Sequence, residues 1–295
     1  MRTSISVACE GTRWARRSAA CLCAIQLLAV LLSACPAQAA FEVAWPDARS
    51  AGMLTPGLVL AGSPDHALSR ASPDSATKSR LRSGPRVTVS AGELYGVREA
   101  AGWGAHAATG FGAVLVGLEL SRLGGELYEE RSLCLRVGIR ADPDLSLSVR
   151  ARGLGIAARG VDDRWTVAVD ASVTRRLIGR VFLGAACENL TRSRIGDSPV
   201  ASRTGFAAAL VLSSVSIQWT LSLEETFAPS TVLSFEAAMT DWLRVRAGAR
   251  DAPGKLGFGI GVGRRGGGPW PIVDFACQWH PELGVSSFVS ITIEP

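Results

Sequence analysis

Between Leu243 and Ile293 the side-chain chemistry alternates for about fifty residues with barely a break, and this limits what the chain can fold into. Leu243, Val245, Ala247 and Ala249 are apolar, and Arg244, Arg246, Gly248 and Arg250 lie between them. Leu256, Phe258, Ile260 and Val262 then alternate with Gly257, Gly259, Gly261 and Gly263. A period of two puts the two sets on opposite faces of a strand, and Asp251-Ala252-Pro253-Gly254 between them is turn chemistry that joins antiparallel neighbours. The stretch therefore reads as a hairpin with one apolar face.

The same pattern recurs upstream at intervals of about 10 to 18 residues. Val87 to Ser90 reads as the first strand and Phe111 to Leu120 as a mostly apolar one. Leu133, Leu135, Val137 and Ile139 alternate with Cys134, Arg136, Gly138 and Arg140; Leu145, Leu147, Val149 and Ala151 alternate with Ser146, Ser148, Arg150 and Arg152. Trp165, Val167, Val169, Ala171 and Val173 carry the period onward, followed by Val181–Cys187, Ala207–Leu212, Ile217–Leu223, Val232–Met239, Val273–Trp279 and Val285–Ile293. No helical period of any length interrupts them.

Such a chain buries its apolar face inside a soluble sandwich or turns it to lipid. Three features favour lipid. The strands have about the 9 to 11 residues a tilted membrane strand requires. Trp165, Trp242 and Trp279 stand at the ends of apolar registers, where interfacial girdles belong. The opposite register bears Arg136, Arg140, Arg150, Arg152, Asp170, Arg244, Arg246, Arg250 and Asp274, charges of both signs suited to a wet interior. The expected fold is all-β, a closed antiparallel transmembrane β-barrel of about 12–14 strands over residues 87–295. A periplasmic all-β binding protein is the soluble alternative.

Residues 1–39 read as a secretory signal: Arg13, Arg16 and Arg17, then an apolar run from Ala19 to Leu32, then Ala37-Gln38-Ala39 as a small-x-small cleavage site. Leu32-Ser33-Ala34-Cys35 offers a competing lipoprotein reading with Cys35 acylated. Either route takes the protein out of the cytoplasm, with the outer membrane as its expected place. Residues 40–86 lack alternation and are punctuated by Pro46, Pro56, Pro64, Pro73 and Pro85, as in a linker, or in a plug or hatch folded into a barrel mouth.

Other chemistry is scarce. The net charge of +5 comes from arginines spaced singly along strands, which argues against a nucleic-acid partner. Cys134, Cys187 and Cys277 lack metal-site spacing and read as small apolar filler. Gly261, Gly263 and Gly266 match a dinucleotide fingerprint formally, but Gly267-Gly268-Pro269 follows instead of a helix, so no helix N-terminus holds a pyrophosphate. His66, His106 and His280 lie far apart and no nucleophile elbow exists. Tyr128-Glu129-Glu130 reads as a strand end and turn, His280 as part of the turn before the last strand, and Asn189-Leu190-Thr191 as a sequon by pattern only. No enzyme activity, cofactor or metal is expected.

Four segments in order carry a resemblance: Tyr128-Glu129-Glu130 ahead of a Leu-x-Leu-x-x-Gly strand, Phe182 to Leu190, Leu243 to Gly248, and His280-Pro281-Glu282-Leu283-Gly284. Their order and spacing resemble the PorV/PorQ family, outer-membrane barrels similar to the FadL fatty-acid channel. The resemblance covers roughly Gly92 to Ile293 and implies a FadL-like barrel of about 14 strands, non-enzymatic, with some members carrying exported proteins in type IX secretion. The chain departs from the family before Gly92, where Ala71-Ser72-Pro73 stands in place of Asn-Pro-Ala, and at its end, Ile293-Glu294-Pro295, which lacks a terminal aromatic.

Two functional expectations follow. One is protein export or docking at the outer membrane, with exported proteins or secretion components as partners beside lipid; the loop from Asn189 to Arg203 would be its main surface. The other is a passive or gated channel for small solutes, hydrophobic or anionic, in which the lumen-register arginines act as a selectivity filter. Alternatively those arginines pair with Asp170, Glu188, Glu224 and Asp274 and hold a plug.

Overall fold

A computed structural model of the chain describes residues 46–54, 85–224, 227–264 and 270–294. The leader expected over residues 1–39 and most of the irregular segment after it lie outside the described residues, as do Gly266 to Gly268.

A short helix, α1 (Ala48–Met53), precedes the strands. The first half of the barrel is β1 (Arg86–Leu94), β2 (Val97–Phe111), β3 (Val114–Gly124), β4 (Tyr128–Asp142), β5 (Leu145–Ala158), β6 (Val161–Arg176) and β7 (Val181–Glu188). A two-stranded hairpin, β8 (Arg194–Ile195) with β9 (Ser198–Pro199), interrupts the series. The second half is β10 (Arg203–Val211), β11 (Val215–Glu224), β12 (Ser230–Ala238), β13 (Leu243–Arg250), β14 (Lys255–Val262), β15 (Ile272–His280) and β16 (Gly284–Ile293).

Apart from β8 and β9, every strand pairs antiparallel with its neighbours, and β1 pairs with β16 from Val87↔Ile293 to Glu93↔Ser287, closing a barrel of fourteen strands. At the seam the Thr88 and Thr292 hydroxyls meet at 3.0 Å, and Arg86 pairs with Glu294 at 3.4 Å. Closure leaves the sheet without a free edge strand, the arrangement a barrel in lipid requires. Since β1 begins where β16 ends, the barrel has a terminal end and, opposite it, a far end.

The period-two pattern becomes two barrel surfaces. Val137, Leu147, Val167, Ile217, Leu233, Phe258, Ile260, Phe275 and Ile291 all point outward and exposed. Trp103, Trp165 and Trp279 sit toward the far end of this apolar band, and Phe111, Trp242 and Trp270 at the terminal end, so aromatic girdles bound it on both sides. The register yields a direct expectation. Val245 faces outward in mid-β13, between Ala237 and Ile260, so Val245→Arg should cost about 2–4 kcal/mol of stability in lipid, whereas Arg244→Leu should insert normally. Equal urea midpoints for the two variants in vesicles would show the register to be wrong.

One strand is missing from the sequence reading. β2 presents Ala101, Ala105 and Ala107 beside Trp103 outward and Gly102, Gly104 and Ala108 beside His106 inward, so the mostly small residues of both faces leave the alternation little amplitude. The next strand starts at Val114, because Phe111 closes β2 and Gly112 takes φ +62° in the turn. Tyr128-Glu129-Glu130 opens β4 instead of forming a turn; the Tyr128 hydroxyl donates to Glu130 at 2.8 Å, and Glu129 pairs with both Arg122 and Arg131. His280 closes β15, and its Nδ1 accepts from the Glu282 and Leu283 N–H groups at 3.2 Å, which caps the turn before β16.

Candidate functional site

The lumen wall is the candidate site, and its most unusual part is β14. Leu256, Phe258 and Ile260 take the outward positions, leaving glycine on the inward ones, and α1 lies flat against that bare strip. A Cβ on Gly257 would meet the Gly52 carbonyl oxygen and Leu54 Cγ at 2.9 Å, and one on Gly248 would meet the Met53 carbonyl oxygen at 2.5 Å. Gly52 and Gly259 approach equally closely from the two sides. Glycines thus let two backbones touch where any side chain would hold them apart.

The rest of the α1 anchor is polar at one edge and apolar at the other. Asp47 caps the helix by accepting from the Ser50 N–H at 2.7 Å, and Leu54 ends it in the left-handed region at φ 53°. Burial works to raise the Asp47 carboxyl, but the Ser50 hydrogen bonds and the positive field of Arg49 and Arg86 hold it below its usual value. Gln278 donates to the Ala51 carbonyl at 3.0 Å, and Ala48 and Ala51 pack with Leu94, Ala276 and Phe288. Arg49 reaches across to Glu236, with Nε 2.9 Å and Nη2 3.1 Å from the carboxylate.

Two ionic clusters cover opposite parts of the wall. In the first, Asp170 on β6 accepts from Arg150 Nε at 2.6 Å, from Arg152 Nη2 at 2.9 Å and from the Asn189 N–H at 2.8 Å. Arg150 also donates to Glu188 at 2.9 Å, and Arg203 pairs with Glu224 at 2.8 Å while standing 3.9 Å from Glu188. In the second, Arg246 donates from Nε to Glu236 and from Nη1 to Asp274, both at 2.6 Å, so Glu236 is held between Arg246 and Arg49. Buried charges persist only when so compensated, and each cluster alternates sign to achieve it.

All nine residues expected at the lumen lie on the inward register, but they do not act as one set. Arg150, Arg152 and Asp170 meet in the first cluster, and Arg246 and Asp274 in the second. Arg250 bonds to the Ser230 hydroxyl at 3.1 Å. Arg136 lines a narrow slot with Ser148, Arg150, Asp170 and Ser172. The side chains of Arg140 and Arg244 make neither a hydrogen bond nor an ion pair with any described residue. They stand near the terminal end on β4 and β13, half the circumference apart. Sequence reasoning missed Glu236 and Arg49. Glu236 was open to discovery, since Ser234 and Glu236 alternate with Leu233 and Phe235, whereas nothing in the irregular segment singles out Arg49.

At the far end the loop between β7 and β10 folds inward instead of standing up as a docking surface. Ile195 and Val200 on its hairpin pack against Leu154, 1% exposed, and Ala168, 0%, which belong to the inward register of β5 and β6. Asn189 is 1% exposed: its amide donates to the Val200 carbonyl and its carbonyl accepts from the Ser193 N–H, both at 2.8 Å. That burial leaves no room for a glycan, so Asn189 anchors this inward-folded loop, a lid over residues 189–202, and is not an acceptor site. The lid, the clusters and α1 together narrow the lumen.

Among the described residues an open recess lies between α1 and the β10–β13 wall, with about 680 Å³ of free space, part of it continuous with solvent. Met53, Ala209, Val211, Val215 and Ala238 supply apolar walls; Ser216, Gln218, Ser234, Arg244 and the paired Arg49 and Glu236 supply polar ones. The turn over residues 212–214 forms its rim at the terminal end.

No sequence family and no curated protein matches the chain. Among solved structures it is similar in fold to the CymD monoaromatic hydrocarbon channel, at a TM-score of 0.56 and 11% identity over 87% of this chain and 99% of that one. A TodX monoaromatic hydrocarbon channel mutant superposes at 0.57 and 10% identity, over 86% of this chain and 100% of its own. A FadL homologue from Pseudomonas aeruginosa does so at 0.52 and 10%, over 88% and 99%. At such identities the likeness is one of fold: a closed, FadL-like barrel of fourteen antiparallel strands.

Proposed function

We propose that the protein is an outer-membrane channel that passes small solutes through a lumen gated by α1 and the 189–202 lid. The observation that carries this reading is the recess: a closed barrel with an apolar outer band keeps a solute-sized space between a separately anchored helix and the wall, and leaves it open toward one end. Similarity of fold to hydrocarbon channels supports transport over export of proteins. The docking role implied by the PorV/PorQ resemblance would need surface loops, and at the far end most described connections are short turns while the longest one is folded into the mouth. Among the described residues no nucleophile stands with a base, and most lumen charges are paired with one another, which supports a non-enzymatic reading.

Reconstitution of the full chain into lipid vesicles tests the proposal. Small solutes should enter protein-containing vesicles severalfold faster than protein-free ones, with a heat-modifiable band showing that the barrel is folded. Equal entry rates for every solute tried would overturn the channel reading.

A further inference from the structure

We infer that the recess beside α1 binds a compact organic anion, a monocarboxylate with a small aromatic or branched aliphatic body, through Arg244. The inference rests on the channel reading and names the solute class. Charge comes first. Around Arg244 lie Glu236, Asp274, Arg49 and Arg246, so three guanidiniums face two carboxylates. Geometry assigns the two carboxylates elsewhere: Glu236 is shared by Arg49 and Arg246, and Asp274 takes Arg246 Nη1. Arg244 is left half-buried on the recess wall as the one guanidinium of this group without a hydrogen-bonded partner among the described residues. A confined, partly desolvated guanidinium with a planar fork of donors matches a carboxylate, which it can hold through two parallel hydrogen bonds.

The rest of the recess excludes other anions and other apolar solutes. Ser216, Gln218 and Ser234 can donate to an anion, but Val211, Val215, Ala238 and Met53 cannot, so an inorganic anion would leave that side of the recess unmatched while an apolar body would cover it. A neutral hydrocarbon would fit the apolar wall but would dehydrate Arg244 with nothing to offset it. The space between α1 and the β10–β13 wall amounts to about 680 Å³ including its open part, which favours a compact body over a long chain. Arg140, the other expected lumen arginine with no side-chain partner among the described residues, stands across the terminal mouth from Arg244, so an anion arriving there meets positive charge on both walls.

Flow dialysis of radiolabelled benzoate against the full chain in phosphatidylcholine nanodiscs tests the site. Saturable binding is expected, displaced by other small aromatic acids, with toluene, dodecanoate and inorganic phosphate each competing at least about tenfold more weakly, the margin one charge-assisted hydrogen bond provides. Arg244→Gln should weaken benzoate by about tenfold or more while leaving the heat-modifiable fold intact. Ala238→Leu, which fills the apolar side and keeps the guanidinium, should weaken it as well. Phosphate competing as well as benzoate would overturn the apolar half of the inference, dodecanoate competing better would overturn compactness, and unchanged binding in Arg244→Gln would overturn the site. The two readings fail separately. Solute entry without benzoate binding leaves the channel and removes the site, whereas benzoate binding without entry of any solute leaves the site and removes the channel.

Discussion

Gly248→Leu should expel α1 from the lumen wall and leave the barrel itself standing. The Cβ of any residue at position 248 would lie 2.5 Å from the Met53 carbonyl oxygen, which is backbone and cannot rotate away. Relief requires α1 to move as a body, and the strand cannot retreat because Gly248 pairs with Ser234 on one side and Gly257 on the other. Overpacking of this kind costs about 1–3 kcal/mol. A six-residue helix held chiefly by the Arg49–Glu236 pair, the Gln278 hydrogen bond and the packing of Ala48 and Ala51 has little with which to resist. The expected readout is a severalfold rise in solute entry and a guanidinium at Arg49 that becomes reactive to arginine reagents, with heat-modifiability unchanged. Ala247→Leu, one residue along on the outward face, is the control and should do neither. A Gly248→Leu protein with wild-type entry rates would show that α1 does not gate the lumen.

Asp170→Ala should be the most destabilising single change in the wall. One carboxylate receives Arg150, Arg152 and the Asn189 N–H, and all of these groups are buried. Removing the acceptor strands Arg152 and leaves Arg150 only Glu188, and breaking a buried pair in this way costs about 3–5 kcal/mol. Asp170→Asn keeps an oxygen for Asn189 but not the charge, so it should fall between the alanine variant and the wild type. Urea unfolding in vesicles measures the loss. Because Asn189 also anchors the lid, the segment over residues 189–202 should become cleavable by protease in Asp170→Ala before the barrel unfolds. A cost below about 1 kcal/mol would mean that water reaches both guanidiniums and that the cluster seals nothing.

The two variants separate what each barrier does. α1 is attached to the β12–β16 side through glycine contacts and the Arg49–Glu236 pair, and the lid to the β5–β7 side through Asp170 and the Leu154–Ile195 contact. The Arg49–Glu236 pair that anchors α1 and the Asp170 cluster that anchors the lid use different residues, so their effects on solute entry should combine independently.

The sequence by itself determined which face of most strands meets lipid. Alternation is a local property: Phe258 and Gly259 point opposite ways in any strand, whatever that strand pairs with, and the apolar set is then assigned to the face that lacks water. The turn at residues 251–254, the cap at His280 and the inward register of the arginines followed from the same local rules. β2 escaped because mostly small residues on both faces give a period of two little contrast. What only the tertiary structure decided is which inward groups meet. Arg49 and Glu236 stand 187 residues apart, and no local pattern links them. The inward glycines of β14 read as a bare strip until α1 is laid on it, and the lid reads as a surface loop until Ile195 and Val200 find Leu154 and Ala168 beneath them. Closing fourteen strands brings distant segments to one wall. Only that closure pairs most of the lumen arginines and leaves Arg244 facing an open recess.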